Sequence, residues 1–220
     1  MEKGSARPLV FDLDGTLIDS RQDIAAACNF ALSRVGLQPK SVAEICSFVG
    51  NGAPYLLCGT AGIDEGDPLY GELQQHFQDY YLRHPFDLCS VLPGAMAALG
   101  FPGRLRAMCT NKPRAVTQLI SDGLGFAPLL SSTVAAGDCP QKKPHPEPLQ
   151  LVAQQLAVPA TALIMIGDGP QDILAGHAVG AHTIGVRGGL LPEEQMVAAE
   201  PHVVLDSLLE LPDYLAEAHL

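Results

Sequence analysis

From Leu92 onward the chain alternates short apolar runs with helical stretches, and this alternation restricts the possible folds more than any other feature. The runs Leu105–Cys109, Leu130–Ala135, Leu163–Ile166, Thr183–Val186 and Val203–Leu205 have strand length, and helices are expected over about 113–122, 146–156, 170–179 and 206–215. Strands joined through helices form a parallel sheet covered on both faces, because each crossover lays its helix against the sheet. An earlier run, Leu9-Val10-Phe11, stops abruptly at Asp12-Leu13-Asp14-Gly15 and reads as a buried strand entering a loop. Between it and Leu92 the pattern is helical. Asp19 and Ser20 suit the start of a helix carrying Ile24, Ala27, Cys28, Ala31 and Val35, which Gly36 would close. Further helices are expected over 41–48, 53–58 and 68–82, separated by glycines and prolines. The expected fold class is α/β: a doubly wound parallel-sheet core, residues 1–20 and 91–220, with an α-helical cap, residues 21–90, inserted after the first strand.

Charge narrows the function. The formal net charge of -11, with no Lys/Arg-rich run, argues against binding nucleic acid or an anionic membrane surface. Within residues 21–90, Arg21, Arg34, Lys40 and Arg83 are outnumbered by acids, which disfavours a large polyanion as substrate. A small phosphorylated metabolite would need a local basic pocket. The six cysteines show no C-x-x-C and no zinc-type spacing, so reduced thiols and a cytoplasmic location are expected. No apolar stretch reaches the length of a membrane span, and the polar first residues do not resemble a signal peptide. The chain is expected to act as a monomer or homodimer.

Ligands of open parallel sheets bind beyond the carboxyl ends of the strands. There the chain places Asp12 and Asp14 after the first strand, Thr110 and Asn111 after the second, Lys143 in the loop after the third, and Asp168 after the fourth, with Asp172 following. Singly, Asp-x-Asp also serves as a turn, Thr-Asn as a helix cap and Gly-Asp-Gly as a loop. In this order, each following an apolar strand, they form a site. Four crowded carboxylates repel unless a cation joins them, and hard oxygen ligands suit Mg²⁺.

These residues carry a family resemblance. Phe11-Asp-Leu-Asp-Gly-Thr-Leu-Ile-Asp-Ser20 resembles the first motif of the haloacid dehalogenase-like hydrolases, Thr110-Asn111-Lys112-Pro113 the second, Lys143-Pro144 the third, and Gly167-Asp168-x-x-x-Asp172 the fourth. The resemblance implies that Asp12 attacks phosphorus while also ligating Mg²⁺, and that Asp14 is the general acid and base, lending the metal its backbone carbonyl. It further implies that Asp168 is the second carboxylate ligand, that Asp172 supports the metal's water shell, and that Thr110, Asn111 and Lys143 hold the phosphoryl oxygens. The physics agrees. A carboxylate can form an aspartyl-phosphate, and charge on the transferring group is met by the metal, Lys143 and backbone amides around Gly15. Asp14 favours a phosphatase, since the dehalogenases of the superfamily lack a carboxylate at the corresponding place.

The stretches Phe48–Pro54, Gly137–Leu149 and Val203–Leu208 resemble the phosphoglycolate phosphatase family. The chain departs from that family at Gly169, at Gln171 and in the Arg187–Leu190 loop. The Gly50-Asn51-Gly52 loop is either a plain turn or a reach over the site, offering Asn51 and two amides to a small carboxylate. His145 reads as part of a Lys-Pro-His-Pro turn and His177 as a helix-surface residue. The expected reaction is hydrolysis of 2-phosphoglycolate. A phosphatase for another small sugar phosphate or pathway intermediate, and a phosphomutase, remain open alternatives.

Overall fold

A computed structural model describes residues 6–218 and Leu220. Its elements in chain order begin with β1 (Leu9–Phe11), β2 (Ile18–Asp19), α1 (Arg21–Arg34), α2 (Val42–Cys46), α3 (Ala53–Ala61), α4 (Tyr70–Arg83), β3 (Ser90–Val91) and α5 (Ala95–Leu99). They continue with β4 (Arg106–Pro113), α6 (Arg114–Gly123), β5 (Ser132–Ala136), α7 (Glu147–Leu156), β6 (Ile164–Gly167), α8 (Pro170–Ala178), β7 (His182–Val186), α9 (Glu193–Val197), β8 (Val203–Leu205) and α10 (Leu211–Glu217). The expected strands and long helices are all present.

The main sheet has six parallel strands in the order β5-β4-β1-β6-β7-β8. β1 is central, and its three residues are fully buried because both neighbours and both faces are covered. Alternation along the strand sends Leu9 and Phe11 into one apolar cluster, shared with α5, α6 and α10, and Val10 into another, shared with α7 and α8. This is the doubly wound arrangement expected from the sequence.

Four helices, α1 to α4, lie between β2 and β3. Their packing follows sequence periodicity: Leu73, Phe77 and Tyr81, spaced by four on α4, are its buried residues. α2 begins with a capping box, in which Ser41 Oγ accepts from the Glu44 amide at 3.2 Å and the Ser41 amide donates to Glu44 Oε2 at 2.9 Å.

Three features differ from expectation. Ser20 occupies the cap position of α1 but makes no side-chain cap bond, because its hydroxyl donates to Asp14 Oδ1 at 2.6 Å; Asp19 Oδ1 accepts from the Arg21 amide instead, at 3.1 Å. β4 does not stop at Cys109 but continues to Pro113, with an irregularity between these residues. The two passages into and out of the helices pair as a short antiparallel ladder, Ile18 with Val91 and Asp19 with Ser90, which two-residue strands do not announce in sequence.

Candidate active site

Register brings the site together. Phe11 pairs with Met108 on one side and with Ile166 on the other, so Asp12 emerges between the ends of β4 and β6. Its amide donates to the Ile166 carbonyl at 2.9 Å, fixing the exit from the sheet. Lys143 reaches in from the loop after β5 and is 1% exposed. Its ammonium donates to Asp12 Oδ1 at 2.9 Å, Asp172 Oδ1 at 2.6 Å and the Cys109 carbonyl at 2.5 Å. Burial alone would lower its pKa; the two carboxylates outweigh that and hold the ammonium protonated.

Asp12, Asp168 and Asp172 are buried, and each offers an oxygen within 4.8 Å of the others. Asp168 Oδ1 accepts from Thr16 Oγ1 and Oδ2 from the Leu190 amide, both at 3.0 Å. Burial, then the neighbouring charges of Asp12 and Asp172, push the Asp168 carboxyl well above its ordinary pKa. Asp172 is likewise raised, to about 7, with burial dominant and Lys143 opposing it. Gly15, at φ +85°, closes the Asp168 pocket: a Cβ there would lie 2.2 Å from Asp168 Oδ2. Gly189 is equally constrained, at 2.1 Å from the same oxygen.

Asp14 leaves this cluster. Its carboxylate accepts from Ser20 and from the Lys112 ammonium, which lies 2.8 Å from Oδ1 and 3.1 Å from Oδ2. Lys112 also contacts the Tyr81 hydroxyl at 2.5 Å, and so links the sheet to α4. Sequence reasoning gives neither Lys112 nor Tyr81 a role. Lys112 lies within the Thr110–Pro113 motif, and Tyr81 continues the stripe of Leu73 and Phe77, but neither position signals that they meet.

Asn111 is placed differently from its expected role. Its Nδ2 donates to the carbonyls of Gly50 and Lys143, both at 2.8 Å, and its Oδ1 accepts from the Lys143 amide at 2.9 Å. With its amide engaged in this way, Asn111 braces the Lys143 loop and the Gly50 turn. Thr110 lines the cavity beside Asp12. Gly50 and Gly52 line it too, whereas Asn51 is exposed and faces a neighbouring depression with Lys142 and Tyr55. His145 is exposed in its turn, where Nδ1 accepts from the Glu147 amide at 3.2 Å; His177 lies on the surface of α8. All six cysteines are free thiols.

The cavity between the sheet edge and the helices has a volume of about 50 Å³, where one water needs roughly 10–15 Å³ on the same scale. Its floor is Asp12, Asp14, Thr110, Lys143 and Asp168; its roof includes Ile24, Val49, Ala53, Leu56 and Phe77. A buried carboxylate beside an ammonium, with a second carboxylate two residues on, suits phosphoryl transfer.

The haloacid dehalogenase-like hydrolase model matches residues 8–180, which include every residue of this cluster. The chain is a haloacid dehalogenase-like hydrolase. A phosphoglycolate phosphatase of Cereibacter sphaeroides is 40% identical over 179 residues, covering 78% of this chain and 81% of that protein. One from Pectobacterium atrosepticum is 33% identical over 217 residues, covering 96% and 92%. The crystal structure of a predicted phosphoglycolate phosphatase from Haemophilus somnus superposes with a TM-score of 0.88 at 25% identity, covering 96% of this chain and 99% of that one.

The hydrolase's acidic cluster fits a divalent metal. Three carboxylates are buried together, the one ammonium among them pairs with Asp12 and Asp172 only, and burial followed by the charges of Asp12 and Asp172 raises the Asp168 pKa. A cation among them would oppose that shift. Among the described residues, no helix is long and apolar enough to cross a membrane.

Proposed function

We propose that this hydrolase is a magnesium-dependent phosphatase that cleaves 2-phosphoglycolate to glycolate and phosphate through an aspartyl-phosphate on Asp12. The reading rests on one juxtaposition above all: the Asp12 carboxylate, on the floor of a small cavity, has one oxygen on Lys143 and no protein donor among the described residues on the other.

Asp12 attacks phosphorus as the ester P–O bond breaks, and Asp14 gives its proton to the departing alcohol oxygen. Asp14 then takes a proton from water, whose oxygen attacks the phosphorus of the aspartyl-phosphate, releasing phosphate and restoring Asp12. The Lys143 ammonium, the Thr110 hydroxyl and the amides around Gly15 hold the phosphoryl oxygens, while Asn111 keeps Lys143 in place. Mg²⁺, held by Asp12, Asp168 and the Asp14 carbonyl with Asp172 in support, would neutralise charge on the transferring group. Residues 21–90 act as a cap on a core of residues 1–20 and 91–220. Gly50 and Gly52 are the part of the Gly50–Gly52 loop that faces substrate, with Asn51 at its outer rim.

The cavity's size and apolar roof support a small substrate. A sugar phosphate, whether for hydrolysis or for a mutase, would set several hydroxyls against a roof where Ile24, Val49 and Leu56 offer no partner, leaving them few polar side chains such as Gln171 and Tyr81. The names of the relatives supply the particular ester. EDTA is expected to abolish release of phosphate from 2-phosphoglycolate, and added Mg²⁺ to restore it. Calcium should inhibit, since its larger shell invites bidentate carboxylates and would occupy the nucleophile. Undiminished turnover after exhaustive chelation would overturn the metal assignment.

A further inference from the structure

Lys112 has no part in the chemistry just described, yet it lines the cavity, and its ammonium bonds to two other lining residues, Asp14 and Tyr81. It is 5% exposed, so a full positive charge has been carried into the protein at considerable cost. Its partners are the Asp14 carboxylate and the Tyr81 hydroxyl, and it lies 4.6 Å from the Tyr81 ring centroid. Lys143 and Lys112 are the two cations lining the cavity. Lys143 is fixed between Asp12 and Asp172 on the phosphoryl side. The helical roof contributes Ile24, Val49, Leu56 and Phe77 but no charged group, and its one side-chain hydroxyl is that of Tyr81. Whatever the leaving alcohol carries beyond its ester oxygen meets apolar side chains, glycine backbone, the uncharged Gln171 amide or the Lys112–Tyr81 pair, and of these Lys112 alone is cationic.

We propose that Lys112, oriented by Tyr81, determines specificity by binding an anionic substituent, a carboxylate, on the leaving alcohol. The proposal rests on the phosphatase reading and deepens it. A carboxylate one carbon from the ester oxygen is compact enough for the small cavity and would give the Lys112 ammonium a second anionic partner beside Asp14. Asp14, two residues beyond the nucleophile, lies on the same side, so the lysine and the proton donor flank the same part of the substrate. A neutral alcohol of equal size leaves Lys112 with its internal partners only and gains nothing from it. The Tyr81 ring and hydroxyl prevent the lysine from swinging away.

The test compares kcat/KM for 2-phosphoglycolate with that for 2-hydroxyethyl phosphate, an ester of similar size whose leaving alcohol is uncharged, in wild type, Lys112→Met and Tyr81→Phe. Wild type is expected to favour the carboxylate ester about ten- to hundredfold, the usual value of a charge-assisted hydrogen bond. Lys112→Met should bring the two esters to near parity, mainly by raising KM for 2-phosphoglycolate. Tyr81→Phe, a milder change that keeps the buried ring, should narrow the preference in the same direction, and serves if Lys112→Met does not fold. If both variants lower the two rates by the same factor, Lys112 only supports the site and the proposal fails. A wild type that hydrolyses both esters without preference also overturns it, while leaving the phosphatase reading intact. A wild type that hydrolyses neither ester overturns both.

Discussion

The two aspartates at the mouth of β1 differ by environment rather than by residue type. Asp12 is 5% exposed, with Lys143 on one oxygen and Asp168 and Asp172 close by, and these neighbours aim its carboxylate at the cavity. Asp14 turns to the other side, where a serine hydroxyl and a lysine hold it away from the cluster. Asp12→Asn should therefore abolish turnover and phosphoenzyme alike. Asp14→Asn keeps the nucleophile but loses the proton donor and later base, a change of about a hundredfold to ten-thousandfold. The loss should be smallest with p-nitrophenyl phosphate, whose leaving group needs little protonation. With that ester the phosphate adduct should accumulate on the peptide containing Asp12, as rapid-quench mass spectrometry can detect. An adduct elsewhere, or turnover by Asp12→Asn, contradicts the mechanism.

At the scale of elements, the two ends of the sheet have opposite characters. The carboxyl ends carry the acids and lysines; the amino ends of β7 and β8 carry His182 and His202, with ring centroids 4.5 Å apart. His182 Nε2 pairs with the Tyr214 hydroxyl of α10 at 2.8 Å, and Thr183 Oγ1 lies 2.7 Å from His202 Nδ1. Burial first, then His202 and Arg7, lower the His182 pKa to about 4. The unfolded chain therefore binds a proton there near pH 6.5 that the native state refuses until about pH 4. Stability from this group is complete above pH 6.5 and is lost as the pH falls through that window. Because the ring is partly exposed, solvent screening limits the loss to about 1 kcal/mol. Urea unfolding at pH 7 and pH 4.5 should show this slope in wild type and a shallower one in His182→Gln. Equal slopes would mean that His182 titrates normally.

Across the whole molecule, the helices α1, α3 and α4 roof the small cavity with mostly apolar side chains. Both passages between the proposed core and cap run through the β2–β3 ladder, where the Leu92 amide also donates to the Leu17 carbonyl at 2.9 Å. That ladder holds the two crossings side by side, so bending near Asp19–Arg21 and Ser90–Pro93 can swing the four helices as a unit. Among the described residues, Lys112 with Tyr81 and Asn111 with the Gly50 carbonyl are polar links between residues 21–90 and the sheet that such a swing would break. Crystal structures with and without a phosphate mimic are expected to differ in the orientation of residues 21–90, the mimic favouring closure that excludes water. The same orientation in both would remove gating from the mechanism.

Much of the fold and of the site is legible in the order of the amino acids, for a physical reason. A buried parallel strand needs an unbroken apolar run, and a strand end facing ligand needs a polar residue directly after it. Asp12, Thr110 and Asp168 announce themselves this way, and the helices follow from the spacing of residues such as Leu73, Phe77 and Tyr81. Local pattern is silent about strand order, and it is the order β4-β1-β6 that seats Asp12 between Thr110 and Asp168. It is equally silent about partners distant in the chain. Lys112 meets Asp14 across 98 positions, and Lys143 meets Asp12 across 131. Ser20 resembles a helix cap and Asn111 a substrate ligand because both residue types form those bonds locally. Packing gives each a different partner, since a buried hydroxyl or amide bonds whatever acceptor or donor the tertiary fold sets beside it. The sequence by itself determined which chemistry arrives at the sheet edge. The tertiary structure decided which group faces the nucleophile, which holds a loop, and which lysine remains to meet the rest of the substrate.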